Sequence, residues 1–143
     1  MRFWDTSAVV PLLVEQGHSA GARALVTDPR DMVVWWGTVV ECLSGLARLR
    51  VEGALSVWTE TRARESLTLL GDRWVEVVPS NRLRAVAGEL VSRHLLRAGD
   101  ALQLAAALEW AGDARLGRLI VTFDRRLRHA AAVEGFTVLP EEG

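Results

Sequence analysis

The chain contains no lysine and no tyrosine, and it has a single cysteine, Cys42. Without lysine it lacks a P-loop phosphate site, a Schiff-base nucleophile and a lysine general base. One cysteine excludes an internal disulfide framework and a zinc site built from several thiolates. All 17 basic residues are arginines, and the net charge of −1 gives no overall attraction for nucleic acid. Any polyanion binding therefore needs a local patch of arginines.

Long apolar runs are also absent. The longest uncharged stretches, residues 6–14 and 32–40, have nine residues each, whereas a membrane-spanning helix needs about 20. Asp5 also stands where a secretion signal needs its apolar region to begin. We therefore expect a cytoplasmic protein that does not associate with membranes. The 143 residues, half of them hydrophobic, are enough to bury one core, and we expect a single domain over residues 1–143.

Strand-like and helix-like segments alternate along the chain. Apolar, β-prone runs predict strands at residues 2–4, 32–36, 74–78, 118–123 and 136–139. Capping residues and helical patterns predict helices at residues 8–14, 19–26, 38–51, 54–70, 81–95, 101–111 and 124–133. This alternation is typical of βαβ units, so we expect an α/β fold with a parallel sheet covered on both faces.

Four acidic residues stand out by their positions. Asp5 and Asp124 each follow a predicted strand, while Glu41 and Asp100 each lie in the opening turn of a predicted helix. Each of them also suits a capping role. The three aspartates can be N-caps, and Thr38-x-x-Glu41 matches a capping box. Position alone therefore leaves a structural and a functional interpretation open.

The number and location of these acids favour a cation site. Ligand crevices in parallel α/β sheets form outside the carboxyl ends of the strands, at the point where the strand order reverses. If strands 2–4 and 118–123 are neighbours there, Asp5 and Asp124 face each other across the crevice. Carboxylates that close repel unless a cation lies between them or one is protonated. Oxygen ligands completed by water suit Mg²⁺ or Mn²⁺.

Four short motifs together resemble those of PIN-domain proteins. The first eight residues, MRFWDTSA, look like the family's opening, in which a strand ends in an aspartate followed by two hydroxyl residues. Thr38-x-x-Glu41, LRAGDALQLA at 96–105 and VTFDRRL at 121–127 look like its second, third and fourth motifs, and residues 130–140 resemble its closing helix and strand. The match runs in order from end to end. The one departure is Gln103, where a histidine is common; it flanks an acid and is not expected to bind metal.

The resemblance implies a three-layer α/β/α sandwich with a five-stranded parallel sheet, and a Mg²⁺-dependent (or Mn²⁺-dependent) ribonuclease. The chain's size is similar to that of the VapC toxins of toxin–antitoxin pairs, which implies an RNA substrate and a cognate antitoxin. Asp5, Glu41, Asp100 and Asp124 would bind the ion, with Asp5 and Asp100 as direct ligands. The hydroxyls of Thr6, Ser7 and Thr122 would hold carboxylates or metal-bound waters, or would only cap helices.

Two other functions remain open. A phosphohydrolase using Asp5 as nucleophile is disfavoured, because the second aspartate two residues on and the catalytic lysine are both missing. A non-catalytic RNA- or protein-binding module on a PIN scaffold would be favoured by the loss of one of the four acids, and all four are present. Three arginines follow Asp124, and they could either bind phosphates or form a solvated helix face: Arg125, Arg126 and Arg128.

The predicted helices carry more apolar surface than a small sheet can cover. Helices 19–26, 38–51 and 54–70 lie between the first and third strands, where the sheet offers limited cover. Six apolar residues of the helix at 54–70 do not share one narrow stripe, so some should be exposed: Leu55, Val57, Trp58, Leu67, Leu69 and Leu70. Exposed apolar patches usually mark a protein interface. We therefore expect a homodimer and a groove that takes an amphipathic helix of an antitoxin. An inhibiting segment could also place an arginine among the four acids.

Overall fold

A parallel sheet organises the molecule. The structure, a computed structural model, describes residues 1–142. In this part of the chain, five strands pair in the order β3-β2-β1-β4-β5, with every neighbouring pair parallel. They are β1 (Arg2–Trp4), β2 (Met32–Trp35), β3 (Val75–Val77), β4 (Leu119–Val121) and β5 (Thr137–Leu139). The five predicted strands and their parallel pairing are confirmed.

Seven helices accompany the strands within the same residues. They are α1 (Thr6–Leu13), α2 (Ser19–Leu25), α3 (Thr38–Val51), α4 (Val57–Gly71), α5 (Asn81–His94), α6 (Ala98–Ala111) and α7 (Arg125–Val133). None of these helices is long and apolar enough to cross a membrane.

Alternation of side chains along the short strands divides the core in two. Phe3, Val33 and Ile120 lie on one face of the sheet, where they pack against buried residues of α5, α6 and α7. Trp4 and Val121 lie on the other face, against α1, α3 and α4. Because neighbouring strand residues point to opposite faces, each strand needs a helical layer on both sides. This is the expected three-layer α/β/α sandwich.

Small residues set the spacing of two elements that position the site. Helix α6 carries four fully or almost fully buried alanines in the core that it shares with the sheet and with α5 and α7: Ala101, Ala105, Ala106 and Ala107. At the entrance to α3, a Cβ on Gly37 would lie 2.5 Å from Nε1 of Trp35. No side chain fits there without a shift of the indole, so Gly37 permits the close turn from β2 into α3.

Three helices begin two or more residues away from their predicted starts: α1, which begins at Thr6 instead of residue 8, α4 and α6. Helix α4 begins at Val57 rather than at 54, because Ser56 caps it by accepting a hydrogen bond from the backbone N–H of Thr59 at 3.0 Å. Helix α6 begins at Ala98, three residues before its predicted start. Pro11 lies in the second turn of α1. The helix ends two residues later, which limits the disruption that a proline causes.

Candidate active site

The carboxyl ends of the central strands meet where the strand order reverses. Strand β1 lies between β2 and β4. The chain builds the sheet outward from β1 through β2 to β3, and then returns to the other side of β1 to form β4 and β5. This is the crevice position at which α/β sheets bind ligands. Asp5 follows β1 directly, and its backbone N–H donates to the carbonyl of Val121 at the end of β4 at 3.0 Å.

Asp5 is buried and held by three hydrogen bonds. Its side chain is 3% exposed. The Oδ2 atom accepts from the Ser7 backbone N–H at 3.2 Å, from Ser7 Oγ at 2.6 Å and from Thr122 Oγ1 at 2.9 Å. Within residues 1–142 the other oxygen, Oδ1, accepts no hydrogen bond. Burial raises the pKa of Asp5 although the hydroxyl and amide donors oppose it, and the charge of Asp124 raises it further. The carboxylate is thus fixed with one oxygen open to a ligand.

The hydroxyls of Ser7 and Thr122 tie the ends of β1 and β4 together. They lie 3.2 Å apart. Ser7 Oγ accepts from the backbone N–H of Phe123 at 2.9 Å, and Thr122 Oγ1 accepts from the backbone N–H of Asp124 at 3.1 Å. Both hydroxyls therefore hold the Asp5 carboxylate in place, whereas the hydroxyl of Thr6 accepts a hydrogen bond from Gln103.

Two of the aspartates do cap helices. Asp5 is the N-cap of α1, and Asp124 is the N-cap of α7 through a 2.9 Å bond from the backbone N–H of Leu127 to its Oδ1. In this network Asp124 Oδ2 accepts no hydrogen bond from residues 1–142. Capping and ligand binding are therefore compatible, because each cap uses one oxygen of its carboxylate.

Glu41 does not form the capping box. Gly37 is the N-cap of α3 and provides no side-chain bond. Instead, Oε1 of Glu41 accepts from Nε2 of Gln103 at 3.1 Å. Burial is the main cause that raises the pKa of Glu41 to about 7; the Gln103 bond lowers it, and the charges of Asp5 and Asp100 raise it. Glu41 is therefore directed into the site and not back toward its own helix end.

Gln103 contacts the candidate site in a way that the sequence alone does not indicate. It is fully buried, and its Nε2 also lies 2.9 Å from Thr6 Oγ1 and 3.0 Å from Thr38 Oγ1. The amide has two N–H hydrogens for three acceptors. The Oε1 atom of Gln103 is buried and has no hydrogen-bond partner. Every other buried side-chain nitrogen or oxygen in residues 1–142 has one. The available signal was its position three residues after Asp100, on the same face of α6.

Asp100 lies in the first turn of α6, but it is not the N-cap. That position belongs to Arg97, which makes no capping bond. The Asp100 side chain accepts no hydrogen bond from residues 1–142. Burial and the charges of Asp124 and Asp5 raise its pKa to about 6, while Arg97 and Arg126 lower it. No backbone group depends on this carboxylate, so the capping interpretation is wrong for Asp100.

The four acids form one electrostatic group whose chemistry suits a divalent cation. Asp5 interacts with Glu41, Asp100 and Asp124, and Glu41 interacts with Asp100. Among residues 1–142, however, no three His, Cys, Asp or Glu side chains are arranged to ligate one ion directly. Mg²⁺ keeps several waters and needs only one or two protein carboxylates. A hydrated ion that neutralises the mutual repulsion therefore fits the residues present.

Other residues considered at the sequence level lie outside this group. Arg128 donates to the carbonyls of Thr122 at 2.7 Å, Leu139 at 3.3 Å and Pro140 at 2.6 Å. It therefore anchors the chain around β5 instead of facing solvent or phosphate. Arg125 is exposed. Cys42 is buried, and burial raises its pKa to about 12, so its thiol is not a nucleophile near neutral pH.

The chain matches known proteins over most of its length. The family model for the PIN domain matches residues 2–133. Ribonuclease VapC45 and ribonuclease VapC49, each from Mycobacterium tuberculosis, are 32% identical to it over 98% of this chain and 95% of their own. One chain of a toxin–antitoxin complex from Klebsiella pneumoniae has the same fold, with a TM-score of 0.66 at 18% identity over the full length of both chains. The sequence and its folded arrangement therefore place this chain in the PIN-domain family, among the VapC proteins.

Proposed function

We propose that this protein is a metal-dependent endoribonuclease that acts as the toxin of a toxin–antitoxin pair. The main support for this proposal is a group of four carboxylates that repel one another where the strand order of the sheet reverses: Asp5, Glu41, Asp100 and Asp124. The relatives named VapC are ribonucleases. Retention of all four acids supports catalysis over the alternative of a non-catalytic RNA- or protein-binding module.

The acids would hold Mg²⁺, or Mn²⁺, with Asp5 and Asp100 as the direct ligands. The chemistry that the ion supplies when bound is activation of water as a nucleophile and neutralisation of charge on the phosphate. Ser7 and Thr122 keep the Asp5 carboxylate in a fixed orientation. Gln103 does the same for Glu41. The protein thus supplies oriented carboxylate oxygens, and burial raises the pKa values of Asp5, Glu41 and Asp100, so that their ionised forms favour a nearby cation.

Incubation with total RNA, with Mg²⁺ or with EDTA, tests this function. We expect fragments with Mg²⁺, none with EDTA, and restored cleavage when Mg²⁺ or Mn²⁺ is added back in excess. Cleavage that persists in EDTA would contradict the metal assignment. RNA binding without cleavage under all conditions would support the non-catalytic module instead.

A groove between α1, α2 and α4 suits an antitoxin helix. It measures about 620 Å³, and its lining is mainly apolar: Leu12, Leu13, Val26, Pro29, Leu69 and Leu70, with Arg23, Ser66 and Arg73. Leu69 is 66% exposed, in agreement with the expectation that part of the apolar surface stays uncovered. An amphipathic helix would bury this face. An arginine of the same partner could then neutralise the four acids.

Coexpression with the protein of the neighbouring antitoxin gene tests the groove. Leu69→Asp should weaken the complex at least 10-fold and leave cleavage of RNA unchanged, because it removes apolar contact without touching the acids. Val133→Asp is the control, since Val133 is 61% exposed on α7 in the opposite layer. Equal affinity of the Leu69 variant and wild type would contradict the groove.

A homodimer and one domain over residues 1–143 belong to the same proposal. Large apolar side chains outside the groove support the dimer, among them Trp36 at 54% and Trp58 at 69% exposure. Light scattering should give twice the chain mass at micromolar concentration. A monomer at all concentrations would contradict this part alone.

A further inference from the structure

A second groove opens directly beside the acids, between α1 and α3. It measures about 500 Å³. One end is formed by three residues of the candidate site, Thr6, Ser7 and Glu41, and the groove continues along α3 as far as Arg48. Of the four acids, only Glu41 lines this groove. Metal binding therefore does not explain why the groove extends as far as Arg48.

One face of α3 forms the floor of this groove. Glu41, Ser44 and Arg48 follow at intervals of three and four residues, which places them in one row along the helix. Gly45 lies in the same stretch, and a Cβ there would stand 3.6 Å from Cγ2 of Val10 on α1. The absence of a side chain leaves space between the two helices. Arg48 lies about 10.5 Å along the helix axis from Glu41, at 1.5 Å per residue.

The charge at the far end is positive and not neutralised. Arg48 is exposed and forms no ion pair within residues 1–142, whereas Arg50, two residues later, is paired with Glu60 at 2.6 Å. Between this guanidinium and the acids, the groove walls include Val10 and Val40. A cation at the end of a partly apolar cleft matches an RNA strand, which carries a phosphate at each nucleotide and apolar base faces between the phosphates.

We propose that this groove binds the RNA strand next to the cut, with Arg48 as the ligand of a backbone phosphate. The inference rests on the proposed function, because that function places the scissile phosphate at the acids. The distance from Glu41 to Arg48 corresponds to about three stacked nucleotides, at 3.4 Å each. Arg48 is a positioning residue for the substrate and takes no part in bond cleavage.

Arg48→Gln tests the subsite, with Arg64→Gln as the matched control. Arg64 is also exposed and unpaired within residues 1–142, but it lies on α4 and does not line this groove. The probe is a single-stranded 20-mer RNA pool of randomised sequence. With Mg²⁺, Arg48→Gln should raise the apparent KM about 10-fold with kcat unchanged. The logarithmic salt dependence should become shallower by about 0.7, as expected for the loss of one phosphate contact on a single strand. Arg64→Gln should match wild type in both.

A binding measurement separates this proposal from the proposed function. Fluorescence anisotropy with the same RNA pool is carried out in EDTA in the Asp100→Asn background, where cleavage is expected to be at least about 100-fold slower, with and without Arg48→Gln. Loss of affinity on removing Arg48 supports the subsite, even if wild type never cleaves RNA and the nuclease proposal fails. Unchanged affinity and salt slope overturn the subsite while the nuclease proposal stands. Unchanged RNA binding together with a weakened antitoxin complex also overturns it and assigns the groove to the protein partner.

Discussion

The amide nitrogen of Gln103 lies 3.1 Å from Oε1 of Glu41, in contact with the hydroxyls of Thr6 and Thr38. This contact joins α6, α3 and the start of α1 at a fully buried position. Asp100 lies on the same helix as Gln103, one turn earlier. Helix α6 therefore supplies one acid of the group and also the donor that orients another.

We expect Gln103→Leu to weaken Mg²⁺ binding about 10-fold or more, because residues that orient a ligand typically contribute 10- to 100-fold to metal affinity. The midpoint of the Mg²⁺-dependent rise in thermal stability measures this directly. Gln103→His, which keeps an N–H donor, should recover part of the affinity. Gln16→Leu, at an exposed position, is the control. An unchanged Mg²⁺ midpoint in Gln103→Leu would leave the residue a purely structural role.

Asp100→Asn should reduce RNA cleavage about 100-fold or more, since loss of a metal-binding charge removes several kcal/mol of transition-state stabilisation. Its stability without metal should stay the same or rise slightly, because the side chain accepts no protein hydrogen bond in the described residues and is repelled by Asp5 and Asp124. Urea denaturation in EDTA measures this. A clear loss of stability would show that the carboxylate has a structural partner.

Asp5→Asn provides the contrast. Its Oδ2 accepts three hydrogen bonds from Ser7 and Thr122, and in the variant these donors meet a neutral amide oxygen, which is a weaker acceptor than a carboxylate oxygen. We therefore expect both cleavage and stability to fall, the latter by about 1 kcal/mol. Circular dichroism melts in EDTA compare it with Asp100→Asn. Equal melting temperatures for the two variants would contradict the hydrogen-bond argument.

Stability without metal should depend on pH through Glu41 and Asp100. Their folded pKa values of about 7 and about 6 lie above the ordinary values of 4.5 and 3.8, so the folded state holds these protons more tightly than the unfolded state. This contribution to stability is full below the ordinary values and is lost as pH rises through about 6 to 7. We expect a loss on the order of 1 kcal/mol per acid, after allowance for partial solvent exposure.

Comparison with Glu41→Gln separates the contribution of Glu41 to the pH dependence of stability from the contributions of the other titrating groups. Urea unfolding in EDTA at pH 5, 6, 7 and 8 should give a difference in unfolding free energy, variant minus wild type, that grows with pH. Saturating Mg²⁺ should reduce this difference, because it binds the ionised acids of the folded state only. A difference that does not change with pH would contradict the raised pKa of Glu41.

Gly88→Ala should stabilise the protein by about 0.5–1 kcal/mol. Gly88 lies inside α5, and a Cβ there meets nothing within 4 Å, so alanine gains helix propensity without a clash. Gly53→Ala is the opposing control, since Gly53 has open space but a φ of +81°, where a side chain is strained. Thermal melts of both variants should move in opposite directions. A shift of the same sign in both would rule out backbone conformation as the cause.

The sequence predicted the sheet well because its signals are local. Residues 32–35 are apolar at every position, as required of a strand covered on both faces, and all four are buried. The start of α4 was placed too early because Ala54 and Leu55 suit a helix, whereas the hydroxyl of Ser56 decides the boundary. When several residues near a helix start could act as the N-cap, the folded backbone decides which one does, and the sequence pattern does not contain that information.

The site was harder to predict because its partners come from distant segments. Thr38 and Glu41 have the spacing of a capping box, but Gln103, 62 positions after Glu41, takes the glutamate instead. In the same way Arg128 was grouped with Arg125 and Arg126 as a basic run, yet it donates to carbonyls around β5. Residue type predicts which side chains carry charge. Only the folded chain shows which of these side chains are already hydrogen-bonded to other parts of the protein.

The bond between Thr122 and Asp5 joins residues that are 117 positions apart. Ser7 is close in sequence and can donate to Asp5 early, whereas the second hydroxyl donor is absent until residue 122 has been synthesised. Contacts of such high sequence separation also form late in folding, since they carry the largest loop-closure entropy. The acid group is therefore complete only when segments 117 positions apart have come together, so a partly folded chain lacks its full arrangement.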